Sequence, residues 1–250
     1  HTPIAPSAEF IGKSRAEDVV RNDRRYGDWL FQGDDMLGRI LETLDQQKLA
    51  DNTLVIATSD NGAEGREYAP LRESKRSIYE GGHRVPFVVR WPGRVTAGSV
   101  CREPICLNDV IATAADIVGA RLPANSAEDS FSLLPLLTSA PPAGPQRGLV
   151  HQSSKGDLAV RIGDWKAVFH KDGREELFQL AEDLSETTDL RTGNDERAAK
   201  LRSLLQLYID SGRSSAGESQ ENDIPLQIPD GTSSEVRGKN SRKRKTKSAM

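Results

Sequence analysis

Asp60 and Asn61 stand side by side in the stretch Thr58-Ser59-Asp60-Asn61-Gly62-Ala63-Glu64-Gly65, directly after the apolar run Thr53-Leu54-Val55-Ile56-Ala57. A carboxylate and an amide carbonyl are hard oxygen donors. They suit calcium or magnesium and not the softer metals that prefer thiolate or imidazole. A short continuous run of β-branched and aliphatic residues reads as a buried parallel strand, and in open α/β sheets ligands bind just beyond the carboxyl ends of such strands. Asp-Asn-Gly is also good turn chemistry, so a plain turn is the competing reading of this position taken alone.

Fourteen residues after Asn61 comes Lys75, inside Leu71-Arg72-Glu73-Ser74-Lys75-Arg76-Ser77-Ile78-Tyr79-Glu80-Gly81-Gly82-His83-Arg84-Val85-Pro86. The strand-like Phe87-Val88-Val89-Arg90-Trp91 and the turn Pro92-Gly93 follow. Lysine is a point charge on a long stem and can reach the oxygens of an anion; its ordinary place is the exposed surface. The arrangement as a whole resembles the second half of the type I sulfatases, the arylsulfatase-like branch of the alkaline phosphatase superfamily. That family's pattern is a strand, then Thr-Ser-Asp-Asn-Gly, then Lys and a Tyr-Glu-Gly-Gly turn, then a strand ending in Trp-Pro-Gly. All of it is present in order, and the resemblance runs from His1 to about residue 212.

The resemblance implies an α/β fold, the C-terminal portion of an alkaline-phosphatase-like doubly wound sheet, and the cleavage of a sulfate ester on a carbohydrate or aryl substrate. It implies roles as well. Lys75 would place its cation on the sulfate. His1, in a His1-Thr2-Pro3 turn, would point into the sulfate pocket, the alternative being a frayed terminus. Asp60 and Asn61 would belong to one calcium site whose remaining ligands lie upstream. The family's nucleophile is a formylglycine made from a Cys/Ser-x-Pro/Ala-x-Arg motif, also upstream, with an Asp-Asp metal pair, an Arg, a Lys and another His. The nucleophile motif does not occur here: Cys101-Arg102-Glu103-Pro104-Ile105 and Cys106-Leu107-Asn108-Asp109-Val110 do not fit it. The chain alone is therefore expected to be inactive. His151 and His83 are candidates for the substrate rim, and a periplasmic or secreted location follows from the same resemblance. The chain begins with His, with nothing like a signal peptide before it, and reads as a fragment or a processed product.

The elements that must position these groups follow from periodicity. Between residues 26 and 48, Tyr26, Trp29, Leu30, Leu37, Ile40, Leu41 and Leu44 recur at three- and four-residue spacing, the pattern of an amphipathic helix packed on a sheet. Asn108 to Val118 reads as a second helix, capped by Asn108 and stopped by Gly119. Leu158 to Ile162 and Trp165 to Phe169 alternate around Gly163-Asp164 as a hairpin, and Glu176 to Leu180 supplies a third strand. A helix at about 195–210 presents Ala198, Leu201, Leu204, Leu205 and Tyr208 on one face. The organisation expected is a large α/β part over 1–138, a Pro- and Gly-rich linker over 139–147, a small antiparallel sheet with a helix over 148–212, and a disordered tail over 213–250.

The charge is asymmetric. The chain has 34 Lys and Arg against 37 Asp and Glu, yet the last fourteen residues hold seven of the bases and no acid, so the body is acidic. Nucleic acid is not expected as a partner, because phosphate binding needs a basic face on the folded part. No apolar stretch approaches a membrane span. The basic tail suits a polyanion contact or plain solvation. The two cysteines read as buried thiols, Glu80-Gly81-Gly82 as a structural turn with Glu80 paired to a base, and His170 as exposed in a Lys-Asp-Gly turn. Two rival functions remain. A phosphodiesterase or phosphonate hydrolase of the same superfamily would use two transition metals and carry Asp-His where this chain has Asp60-Asn61. A non-catalytic polyanion-binding remnant would rely on the tail.

Overall fold

The computed structural model describes residues 3–15, 24–66, 68–138 and 146–229. The chain divides into two compact units, one of residues 1–57 and 88–99, the other of 58–87 and 100–250. No helix among the described residues is long and apolar enough to cross a membrane.

In the first unit, α1 (Arg24–Gln46) follows a 3-10 turn at Ala8–Phe10. Buried Asp28 fastens the two: its carboxylate accepts hydrogen bonds from the Gly12 and Ser14 N–H groups (2.8 and 2.9 Å) and from the Ser14 hydroxyl (2.7 Å). Lys48, at φ 57°, turns the chain out of α1, and Leu49 N–H reaches back to Leu44 O. β1 (Val55–Thr58) and β2 (Phe87–Arg90) pair as a two-stranded sheet, and most of each strand belongs to this unit. β1 is only half-buried and exposed at Thr58, not a fully buried strand. The expected core face of α1 is also incomplete, since Leu30 and Ile40 are exposed. Strands of four residues, about 13 Å long, are too short to cover a helix of about 35 Å.

The second unit holds α2 (Glu80–His83), α3 (Asp109–Ile117), α4 (Leu134–Leu137), an antiparallel sheet in the order β3 (Gly148–Gln152), β4 (Leu158–Ile162), β5 (Trp165–Phe169), β6 (Glu175–Gln179), and α5 (Asp195–Ser211). Gly163, at φ 55°, supplies the left-handed conformation that the two-residue turn between β4 and β5 requires, and Ile162 pairs with Trp165 across it. Alternation then assigns the faces. Leu158, Val160, Ala167, Phe169 and Leu177 pack on Leu201, Leu205 and Ile209 of α5. Ala159, Val168 and Phe178 face the other way, onto Ile78 and Tyr79. The sheet is thus covered on both faces, by α5 on one and by the segment leading into α2 on the other.

Residues 148–152, at the start of the expected small antiparallel part, form β3, a strand for which β4 supplies a full set of backbone partners although it has only two apolar side chains, Leu149 and Val150. Two expectations change. Disorder from residue 213 onward does not hold over 213–229. Buried Arg213 donates to the carbonyls of Ala124, Ser215, Ala216 and Glu218, and Ile228 enters the core beside α5. One guanidinium gathers the carbonyls that a polar segment would otherwise leave to water. The cysteines are free but not both buried: Cys101 is exposed, and only Cys106 is partly covered. The linker residues 139–145 and the basic run within 230–250 lie outside the described residues.

Candidate active site

The loop after β1 carries Asp60, exposed, and Asn61, half-buried. Gly62 N–H donates to Gly82 O (2.9 Å), and a Cβ on Gly62 would lie 1.8 Å from Gly81 O. Only glycine permits that approach. Gly81 N–H donates in turn to Arg72 O (3.0 Å), and Lys75 N–H donates to Ala63 O (3.1 Å). Backbone bonds therefore stitch three segments together: the Asp60–Asn61 loop, the Arg72–Lys75 loop and α2. Lys75 is half-buried, and its ammonium makes no ion pair or side-chain hydrogen bond among the described residues. Glu64, paired with Arg76, is near enough to interact electrostatically with Lys75, but no carboxylate is bonded to the ammonium, which leaves it open to an external anion.

Beneath this loop cluster lies a buried charge network centred on Glu80. Its Oε1 accepts from Lys166 Nζ (3.1 Å) and His83 Nε2 (3.1 Å), and its Oε2 from Arg84 (3.1 Å) and Arg161 (3.5 Å). Lys166, fully buried in β5, also pairs with Glu186 (2.8 Å), whose Oε2 accepts the Glu80 backbone N–H (2.6 Å). Burial pushes the Glu80 carboxyl up, but the His83 hydrogen bond and the charges of Lys166 and Arg161 outweigh it and hold the group far below the ordinary carboxylate range. Burial raises Glu186, which Lys166 offsets only in part. The expectation that Glu80 pairs with a base is met four times over.

The His83 and His151 rings stack with centroids 3.8 Å apart. Because ionised Glu80 can only accept, His83 Nε2 carries the proton and Nδ1 the lone pair. Burial lowers the affinity of both rings for a second proton. The charges of Lys166 and Arg161 add to this at His83, and the facing His83 adds to it at His151. His151 lies on β3, paired with Ala159, and its Nδ1 is buried with no hydrogen-bond partner among the described residues. A second buried cluster runs from Tyr79, whose hydroxyl donates to Glu176 (2.6 Å), to His170, bonded to the same oxygen (2.6 Å). Burial and this carboxylate push Tyr79 up to about 12. His170, expected to be exposed, is buried, because Glu176 and Asp157 bracket its ring.

Backbone hydrogen bonds thus join the loops that bear Asp60, Asn61 and Lys75 to α2, which carries His83, and the ring stack links His83 to His151. His1 lies outside the described residues. Among the described residues no group of three or more His, Cys, Asp or Glu could hold a metal, and Asp60 and Asn61 supply two oxygen donors. Sequence reasoning missed Lys166 and Glu186. Lys166 closes the stretch Arg161-Ile162-Gly163-Asp164-Trp165-Lys166, which resembles the sulfatases' Arg-x-Gly-x-Trp-Lys hairpin, but that signal gave it a place in a hairpin and not a role as a buried cation.

The sulfatase family model matches residues 1–120. The chain is 33% identical over 175 residues to an arylsulfatase of Hemicentrotus pulcherrimus, covering 68% of this chain and 30% of that protein. It is 38% identical over 176 residues to the N-acetylgalactosamine-6-sulfatase of Homo sapiens, covering 68% and 32%. Over this part, the chain belongs to the sulfatase family. The structure of Ps i-CgsB in complex with k-i-k-neocarrahexaose superposes on it with a TM-score of 0.75 at 25% identity, over 88% of this chain and 50% of that one. The fold is accordingly the alkaline-phosphatase-like α/β fold of the sulfatases. The chain spans about a third of the length of the curated relatives and half of that structure.

Proposed function

We propose that the protein is a sulfuric ester hydrolase acting on a sulfated carbohydrate. The observation that carries this reading is Lys75, a cation with no ion-pair or hydrogen-bond partner on its ammonium among the described residues, on a loop hydrogen-bonded to the one that bears Asp60 and Asn61. A sulfate ester needs cationic groups on its oxygens and a proton donor near the leaving oxygen. Lys75 supplies the first. His1 would hydrogen-bond the sulfate or the ester oxygen, which an imidazolium can do near neutral pH. The Asp60 carboxylate and the Asn61 carbonyl fit calcium in kind, and as two oxygens they are part of the six to eight that calcium takes. Asp60 and Asn61 would hold part of that ion's coordination, and the ion would supply Lewis-acid polarisation of the sulfate. Residues 1–250 contain no formylglycine motif, so the nucleophile comes from sequence outside them and this chain alone is inactive. His83 and His151 serve the substrate rim. Relatives named for N-acetylgalactosamine-6-sulfate and a neighbour bound to neocarrahexaose support a carbohydrate as substrate.

The test is the protein expressed from its complete reading frame together with a formylglycine-generating enzyme. It is expected to hydrolyse 4-nitrophenyl sulfate in a calcium-dependent manner. Preferred hydrolysis of bis(4-nitrophenyl) phosphate with zinc bound would instead place it in the phosphodiesterase branch. Hydrolysis of neither ester, with retained binding to sulfated polymer, would mark a non-catalytic binding protein.

A further inference from the structure

Arg76 follows Lys75 directly and sits at φ 77°, a left-handed conformation that costs energy for a residue with a side chain. Three segments converge on it. Its carbonyl accepts the Ser154 N–H (3.1 Å) from the turn between β3 and β4, and its guanidinium pairs with Glu64 (2.5 Å), three residues beyond Asn61. The next residue of that turn is Lys155, exposed, with its N–H held by the buried Ser153 hydroxyl (3.2 Å). The one acid of the same turn, Asp157, is already committed: its oxygens accept from the Ser153 hydroxyl and the Lys171 N–H and face His170. Glu64 is therefore the only acid recorded against Arg76 among the described residues. The pair is exposed on both sides, so an incoming anion exchanges for Glu64 at little cost.

We propose that Arg76 and Lys155 form a second anion-recognition subsite beside Lys75, and that the substrate carries a further acidic group, sulfate or carboxylate, near the ester to be cleaved. This rests on the sulfatase reading and narrows it. A guanidinium fork reads either group in a bidentate manner, and the lysine adds a point charge. The strained backbone at Arg76, pinned by Ser154, fixes the direction in which that fork leaves the loop.

The experiment uses the protein from its complete reading frame and compares kcat/KM for three substrates: a disulfated disaccharide, a monosulfated disaccharide bearing a uronic carboxylate, and 4-nitrophenyl sulfate. Arg76→Gly, which relieves the backbone while removing the charge, and Lys155→Ala, at an exposed site, are measured against wild type. In each variant the preference for a diacidic sugar over the aryl ester is expected to fall about tenfold or more, the loss typical of a hydrogen bond to a charged group. Whether the disulfated or the uronate sugar shows the larger fall identifies the acidic group. An unchanged preference ratio in both variants overturns the subsite. A wild type that hydrolyses no sulfate ester at all removes the sulfatase reading, and this inference with it.

Discussion

His83 and His151 stack face to face 3.8 Å apart above buried Glu80, with only His83 hydrogen-bonded to that carboxylate. Both rings resist protonation, so in the folded protein each takes up its proton at lower pH than the ordinary 6.5. The unfolded chain then binds more protons as acidity rises. The stabilising contribution is whole above 6.5 and is lost as pH falls below it. Unfolding midpoints in urea are expected to drop between about pH 7 and pH 5, and His151→Gln is expected to flatten that drop. A wild-type profile indistinguishable from the variant's would contradict the pairing.

Lys166 is the cation that Glu80 and Glu186 share, with no exposure to water. Lys166→Met leaves two buried carboxylates short of a partner. A loss of about 3–5 kcal/mol is expected, the usual cost of breaking a buried pair from one side. Equilibrium denaturation measures it, and a change below about 1 kcal/mol would mean that water reaches the network.

Much of the second unit was legible. Strict alternation and a Gly-Asp turn placed β4 and β5 on their observed residues, and β6 and α5 fell within a residue of expectation. Alternation tells which residues share a face but not what covers that face. The burial of Lys166 and Glu176, which bond to Glu80 and Tyr79 from the segment leading into α2, was not legible for that reason. At the site, the motif order singled out Asp60, Asn61 and Lys75, whose loops backbone hydrogen bonds join. The backbone stitching through Gly62 and Gly81 was not readable, because close approach of two chains leaves no periodic trace. His170 was misjudged because its partner Glu176 lies across a turn, where the fold and not the spacing sets the distance.

Gly62 sets how near the Asp60–Asn61 loop comes to α2. Gly62→Ala would force its Cβ to within 1.8 Å of Gly81 O, so the loop must move. A stability loss of about 2 kcal/mol or more is expected, in the range of overpacked sites, together with weaker calcium retention in the protein from its complete reading frame. Unaltered stability and calcium content would show that the loop is free to shift.

Asn61 is the position that separates a hard-cation site from a transition-metal site. Asn61→His is expected to move the metal content of the purified protein from calcium toward zinc or manganese, because imidazole suits those ions. Stoichiometric zinc without calcium in the wild type would assign the protein to another branch of the superfamily.

The turnover of 4-nitrophenyl sulfate by Lys75→Ala, in the protein from its complete reading frame and with formylglycine formed, tests the central claim most directly. Lys75 lacks an ion-pair partner among the described residues, and its loss removes a cation from the charge that develops on the sulfate. A fall in kcat of about a hundredfold to a thousandfold is expected, with folding stability close to wild type. Wild-type turnover in that variant would contradict the assignment of Lys75, and with it the sulfatase site as drawn.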